Sequence, residues 1–294
     1  MTSEKPEGRI LIRFLPALTG LARRGLAGWA ILIGSAIVAV VGVITVTSPW
    51  ISPHDPIAIN VGPILSPPSF EFPLGTNHLG QDMLSRVYCG GAIMFQVAII
   101  SMIVCLVVGV PVGLFASYAG GHIDQLASLV MDSIYAFPGL VLAIAIAAML
   151  GPGVVNMALS IAVVYVPSYF RIVRSQVLTI KELPYVEAAR MMGARRSAIL
   201  FSYILPNVIA SVAAVATINF ADAILTAAGL TFVGLGLPVS IPDWGWDLTY
   251  GRRLLTSGAW WVITFPGIMV VLLALGFTLM GEGLSELLNP RLQK

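Results

Sequence analysis

The 294 residues are 57% hydrophobic and 10% charged, with a formal net charge of +2 and a mean hydropathy of +0.92. A soluble domain carries about 25% charged residues, so the chain reads as an integral membrane protein, and so small a net charge gives no footing for nucleic-acid binding. Its two cysteines, Cys89 and Cys105, match no metal or redox spacing and read as buried free thiols.

In chain order, a polar tail over 1–26 carries Lys5, Arg9, Arg13, Arg23 and Arg24. The apolar run that follows, 27–47, is longer than the roughly 7–15 residues of a secretory leader's core, which predicts an uncleaved first span. A membrane-crossing helix needs about 20 mostly apolar residues. Six windows qualify: 27–47, 92–117, 125–150, 154–170, 207–234 and 261–281. Within them the only charges are Asp132 and Asp222. An even number of spans puts both termini on one side. The tail, the segment 171–206 (Arg171, Arg174, Lys181, Arg190, Arg195, Arg196) and the C-terminal Arg291 and Lys294 then place 13 of the 16 basic residues on that side. Arg86, Arg252 and Arg253 fall on the other. The basic side is the cytoplasmic one. The proline-rich segment 48–91 and the segment 231–260 face outward, and neither is long enough to be a separate receptor.

The stretch 184–206 is the most informative. Pro184 suits the first turn of a helix, where its missing N–H has no partner to lose. Gly193 suits a helix C-cap because it enters the left-handed region freely. A helix over 184–192, a turn, and a second helix from about Arg195 to Pro206 follow. Glu187, Ala188, Ala189, Gly193 and Ile204-Leu205-Pro206 resemble the "EAA" loop of ATP-binding-cassette importer permeases. The resemblance implies that Glu187, Ala188, Ala189, Arg190, Gly193, Ala194 and Pro206 belong to a coupling element that docks on a cytoplasmic ATPase.

Three more stretches narrow the resemblance. Phe72-Pro73-Leu74-Gly75-Thr76-Asn77-His78-Leu79-Gly80-Gln81-Asp82-Met83-Leu84-Ser85-Arg86 looks like the "LGTDxLGRDxxSR" segment of C-type dipeptide and oligopeptide importer permeases. Pro242-Asp243-Trp244-Gly245, Ala259-Trp260-Trp261 and Phe265-Pro266-Gly267 are similar to their last outer loop and final span. Met280-Gly281-Glu282-Gly283-Leu284 and Leu288-Asn289-Pro290-Arg291 resemble their C-terminal tail. Asn77 and Gln81 depart from the family's Asp and Arg. Leu129 stands where an Arg often precedes Asp132 by three positions. The resemblance covers about 25–292. It implies an all-α polytopic fold with six membrane-spanning helices and a cytoplasmic coupling helix, divided into the tail 1–26, a first helix and outer loop 27–91, and a permease core 92–294 whose coupling loop is 171–206. The implied role is import of di- or oligopeptides as a multi-pass inner-membrane subunit. The implied partners are a homologous second permease, two ATPases, an extracytoplasmic binding protein and membrane lipid. Related permeases serve nickel chelates, glutathione, opines and sugars.

No catalytic or metal-ligating constellation is visible. A phosphate-binding Gly-x4-Gly-Lys-Ser/Thr is missing, so ATP and magnesium are expected on partner subunits and no cofactor on this chain. Asp132 reads as an intramembrane polar clamp between helices or toward a second subunit, its partner expected from another helix, from water or from that subunit. Asp222, with Asn219, reads as a candidate for the translocation path. Pro138 and Pro167 are expected to kink their helices. Trp244, Trp246, Trp260 and Trp261 read as an interfacial aromatic belt. The rival reading, a proton-coupled secondary transporter relaying through Asp132 and Asp222, leaves the 184–206 stretch unexplained.

Overall fold

The computed structural model describes residues 25–238 and 241–288. Most of the tail 1–26, its basic residues, Arg291 and Lys294 lie outside them. The described residues form α1 (Gly25–Ile51), α2 (Met83–Ala119), α3 (Gly121–Tyr135), α4 (Gly139–Leu150), α5 (Val154–Ile180), α6 (Pro184–Met191), α7 (Arg196–Phe232), α8 (Trp244–Leu254) and α9 (Trp261–Leu288). No strand forms among them beyond an isolated bridge between Thr76 and Asp82. By length and composition α1, α2, α5, α7 and α9 can each cross a membrane, and α3 with α4 passes the same test only as a bent pair, either a broken sixth crossing or a re-entrant loop.

Two of the expected windows are redrawn. The third is not one helix over 125–150, because α3 and α4 meet at a 90° bend. Pro138 sits at the break as the N-cap of α4. Its ring would clash with the carbonyl four residues back, and it has no N–H to continue the ladder. Pro167, by contrast, lies inside an unbroken α5. The fourth window does not stop at Phe170, since α5 runs on to Ile180 and makes 171–180 helix rather than loop. At about 1.5 Å per residue its 27 residues reach about 40 Å, past a hydrocarbon core of about 30 Å. Acidic residues of α3 meet the arginines on this extension. Arg174 donates from Nε and Nη2 to the two carboxylate oxygens of Asp124, each at 2.8 Å, and Arg171 donates from Nη2 to Asp132 at 2.7 Å.

The core is formed where α2, α5 and α7 pack together. Met94, Val97, Cys105, Tyr169, Phe170 and Ile224 are buried in it. Helices α2 and α5 approach closely at Gly109, where a Cβ would stand 2.8 Å from that of Tyr169. Small residues at such crossings let backbones touch, which is how helices associate where burying apolar surface brings no gain over lipid. Helix α1 packs on α9 and α2 and leaves Trp29, Ile33, Val40, Val43 and Val46 exposed, a surface suited to lipid.

At the α8 end, the segment between α1 and α2 folds back over the bundle around Arg86. The Arg86 guanidinium donates to Asp247 of α8 (2.9 Å), to the Pro56 carbonyl and to Gln81 Oε1 (both 3.2 Å). Asp82 caps α2 by accepting from the N–H groups of Leu84 and Ser85, as an N-cap aspartate does. Of the four tryptophans read as an aromatic belt, Trp260 is half exposed, whereas the other three are held by carbonyls of the fold. Trp244 is fully buried and donates to the Val87 carbonyl, Trp261 donates to the Thr76 carbonyl, and Trp246 donates to the Leu237 carbonyl, each at 2.9 Å. These three indoles tie α8 and α9 to the rest of the fold, because a buried N–H needs an acceptor. Cys89 and Cys105 are both free, as expected, but only Cys105 is buried; Cys89 is partly exposed beside Ser52.

Candidate functional site: the α6 turn and the α5–α7 seam

The expected helix at 184–192 is present. Pro184 opens α6 in its first turn and Met192 caps it. Gly193 follows with φ +82°. The Gly193 N–H donates to the Arg190 carbonyl (3.1 Å) and the Ala194 N–H to the Ala189 carbonyl (3.0 Å). These two bonds are the paired closure of a Schellman motif, which requires a left-handed residue at the glycine position. Glycine enters that region without the Cβ penalty of other residues.

One face of α6 is built into the protein. Val186 and Ala189, three apart and hence on one side, are 0% and 1% exposed. Val186 belongs to the same buried cluster as Ile180, Ile199, Leu200, Ile204 and the transmembrane core. The Tyr185 ring stacks on Tyr203 with centroids 6.4 Å apart. Asn207 Nδ2 donates to the Tyr203 carbonyl (2.7 Å) and to the Tyr185 hydroxyl (3.3 Å). The opposite face is bare: Glu187, Ala188, Arg190, Met191 and Met192 are exposed, the two methionines at 84% and 80%. Among the described residues, no side chain pairs with Glu187 or Arg190.

Pro206 does not end the second helix, as the sequence suggested it would. Helix α7 begins at Arg196 and continues to Phe232, passing through a π-helical turn at Ile199–Ile204 in which the Leu205 N–H reaches back five residues to Leu200. The widened turn carries the chain past a proline that has no N–H to contribute. Only Ala194 and Arg195 therefore separate the Gly193 turn from a helix that runs unbroken to Phe232.

Farther along α7, Asn219 and Asp222 lie on one face with Thr226, at the spacing of neighbouring turns. Asn219 is buried and donates from Nδ2 to Ser168 Oγ of α5 (3.3 Å). Thr226 and Tyr165 hydroxyls lie 2.9 Å apart. Asp222, between them in sequence, is half buried and has no hydrogen-bond partner among the described residues. The structure thus brings both path candidates into one polar seam between α5 and α7. It also adds Tyr165, Ser168 and Thr226, which the sequence reading passed over although Tyr165 and Ser168 are three apart on one helix. Asp132 lies elsewhere, on α3, paired with Arg171, whose guanidinium also sits 4.0 Å from the centre of the Tyr135 ring. Of the three partners open to Asp132, this is the one from another helix. The pair is largely exposed, with side chains 45% and 59% accessible.

A family model described as a binding-protein-dependent transport system inner membrane component matches residues 109–294. The chain is 38% identical over 252 residues to a di/tripeptide transport system permease protein of Pseudomonas aeruginosa, covering 84% of this chain and 83% of that one. It is 38% identical over 263 residues to a dipeptide transport system permease of Alkalihalophilus pseudofirmus (87% and 86%). To a glutathione transport system permease of Pectobacterium atrosepticum it is 37% identical over 226 residues (77% and 75%). Among solved structures, a chain of the MetNI methionine ABC transporter in inward-facing conformations aligns with a TM-score of 0.57 at 18% identity, covering 70% of this chain and 98% of that one, a likeness of fold.

Proposed function

This chain belongs to the family of inner-membrane components of binding-protein-dependent transport systems, and from that premise we propose that it is a non-catalytic permease subunit importing di- or oligopeptides. The relatives named for peptide and glutathione transport support that ligand class. In this reading the chain pairs with a homologous permease, a binding protein delivers the ligand outside, and two ATPases bind and hydrolyse ATP with magnesium inside. Both termini and α6 face the cytoplasm, on the strength of the basic asymmetry.

The single observation that carries the reading is the two-faced α6. Its inner face is fused to the buried core that holds α5 and α7, and its outer face is exposed, apolar at Met191 and Met192 and unpaired at Glu187 and Arg190. A partner that moves the outer face moves α7 with it through the Tyr185–Tyr203 stack and the π turn. The loop then transmits a population shift between inward- and outward-open states and does no chemistry itself. The seam of Asn219, Asp222 and Thr226 on α7 is the part of the path such a movement exposes.

Two substitutions test this. Glu187→Lys reverses the charge on the exposed face, and Gly193→Pro cannot adopt a positive φ and opens the turn. Both are expected to insert in the membrane at wild-type level, to lose co-purifying ATPase subunits and to lose ATP-driven peptide uptake. Wild-type uptake in both would refute the proposal.

A further inference from the structure

A cavity of about 960 Å³ opens at the α6 end of the bundle, between the last turn of α2, the end of α5 and the start of α7. Lys181, Arg190 and Arg196 line it, against one carboxylate, Glu182. We propose that it binds the phosphate headgroup of an anionic phospholipid.

The depth is right for a headgroup. The cavity forms where α2, α3, α5 and α7 begin or end, at Ala119, Gly121, Ile180 and Arg196. At about 1.5 Å per residue α2 and α5 reach about 55 and about 40 Å, so these ends stand past a hydrocarbon core of about 30 Å, on the headgroup side. The charges are also free to act on a ligand. Among the described residues no ion pair engages Arg190 or Arg196, and the Lys181 ammonium hydrogen-bonds the Ser117 carbonyl at 3.4 Å while its charge also acts on Asp124, which Arg174 already pairs. Basic pockets between membrane helices at this depth are places where anionic headgroups bind. The mouth is apolar. Phe115 and Phe201 meet edge to face at 6.1 Å and are 53% and 50% exposed. Phe115 follows exposed Val108 by seven residues, two turns along the same side of α2, so an apolar stripe of about 10 Å leads from the cavity toward the hydrocarbon for the acyl chains. The site shares Arg190 with the α6 turn, and a bound lipid would tie that turn to the headgroup layer. Lipid binding requires only the depth and the charges, so it stands or falls independently of ATPase docking.

The test uses the intact transporter carrying this chain, stripped of lipid in detergent and titrated with phosphatidylglycerol, while native mass spectrometry counts the bound lipid. Phosphatidylcholine and inorganic phosphate serve as separate probes. The expected result is retention of phosphatidylglycerol over phosphatidylcholine, weakened roughly fivefold by Lys181→Gln or Arg196→Gln and about thirtyfold by both. Lys181→Arg keeps the charge and should keep the lipid, which separates lost binding from lost folding. Arg195→Gln removes the same charge one residue away but outside the cavity lining, and should change binding less than about twofold. Equal losses from Arg195→Gln and Arg196→Gln would mean that only general basic charge attracts the lipid, and would overturn the site. So would displacement of phosphatidylglycerol by inorganic phosphate, which would make it a soluble-anion site, or retention unchanged in the double variant.

Discussion

Asn77 and Gln81 stand where the resembling permeases carry Asp and Arg, and the two departures touch. Asn77 Nδ2 donates to Gln81 Oε1 at 2.8 Å, with the residues 2% and 4% exposed. The amide pair is neutral, so a charge introduced on one side alone has no counterpart there. Asn77→Asp alone or Gln81→Arg alone leaves a buried charge without its counterpart, at a cost of about 3–5 kcal/mol. The double substitution is expected to cost less than the sum of the two, by at least about 0.5 kcal/mol; thermal unfolding in detergent measures the cycle, and strict additivity would show that the pair does not act as a unit. At the start of α8, burial pushes the Asp243 carboxyl up to about 6, with the negative charge of Asp247 adding to the effect and the hydrogen bond from the Trp246 N–H opposing it. An unfolded aspartate titrates near 4, so between about pH 4 and 6 the folded state binds more protons than the unfolded one. Asp243 therefore adds stability below about pH 4, loses it as pH rises through about 6, and is level above that. His78, lowered by burial and then by Arg86, acts the other way as pH falls through its unfolded value of about 6.5. The difference between wild type and Asp243→Asn isolates the carboxyl. Unfolding temperatures at pH 5 and pH 7 should show wild type gaining on the variant at pH 5, and parallel curves would contradict the assignment.

At the scale of elements, α6 was the most legible part of the chain. Pro184 and Gly193 mark its ends by local backbone chemistry that no tertiary contact overrides, and the structure places the helix and its cap there. What pairing in space decides was not legible. Nothing local shows that Arg171 and Arg174 would find Asp132 and Asp124 on α3, so a basic stretch read as loop is the end of a helix. Pro138 announced a kink, but its 90° angle comes from where α3 and α4 pack. Pro206 looked like a stop because an α-helix cannot pass it at ordinary pitch, and the π turn that passes it leaves no compositional trace. The burial of Trp244 and Trp261 depends on carbonyls more than a hundred residues away. These placements divide the two carboxylates by role. Asp132→Asn breaks a largely exposed ion pair, worth under about 1 kcal/mol, and is expected to assemble and transport normally. Asp222→Asn, in the α5–α7 seam, should assemble normally but change uptake. Uptake by transporters reconstituted in liposomes with their ATPases, at several pH values, separates them. Loss of all uptake in Asp132→Asn with normal ATP hydrolysis would favour a proton relay, and unchanged uptake in Asp222→Asn across several peptides would return that residue to a structural role.

Across the whole molecule, the two ends of the bundle are built for different work. At the α8 end, buried tryptophans and the Arg86–Asp247 pair lock the folded-back segment between α1 and α2 onto α2, α8 and α9. At the α6 end, a short capped helix is fused to the core on one side and bare on the other, with Met191 and Met192 as its most exposed apolar residues. The proposed coupling role, in which a separate protein grasps α6 and the motion passes on, requires that combination of rigid attachment and free surface. The most direct measurement places a single Met191→Cys substitution in a chain whose Cys89 and Cys105 have been replaced, and asks for a thiol cross-link to the ATPase subunit in inside-out membrane vesicles. The account predicts a cross-link formed from the cytoplasmic side whose yield changes when ATP is added. A Met191→Cys chain that assembles and transports, yet labels only from outside or never joins the ATPase in any nucleotide state, would contradict it.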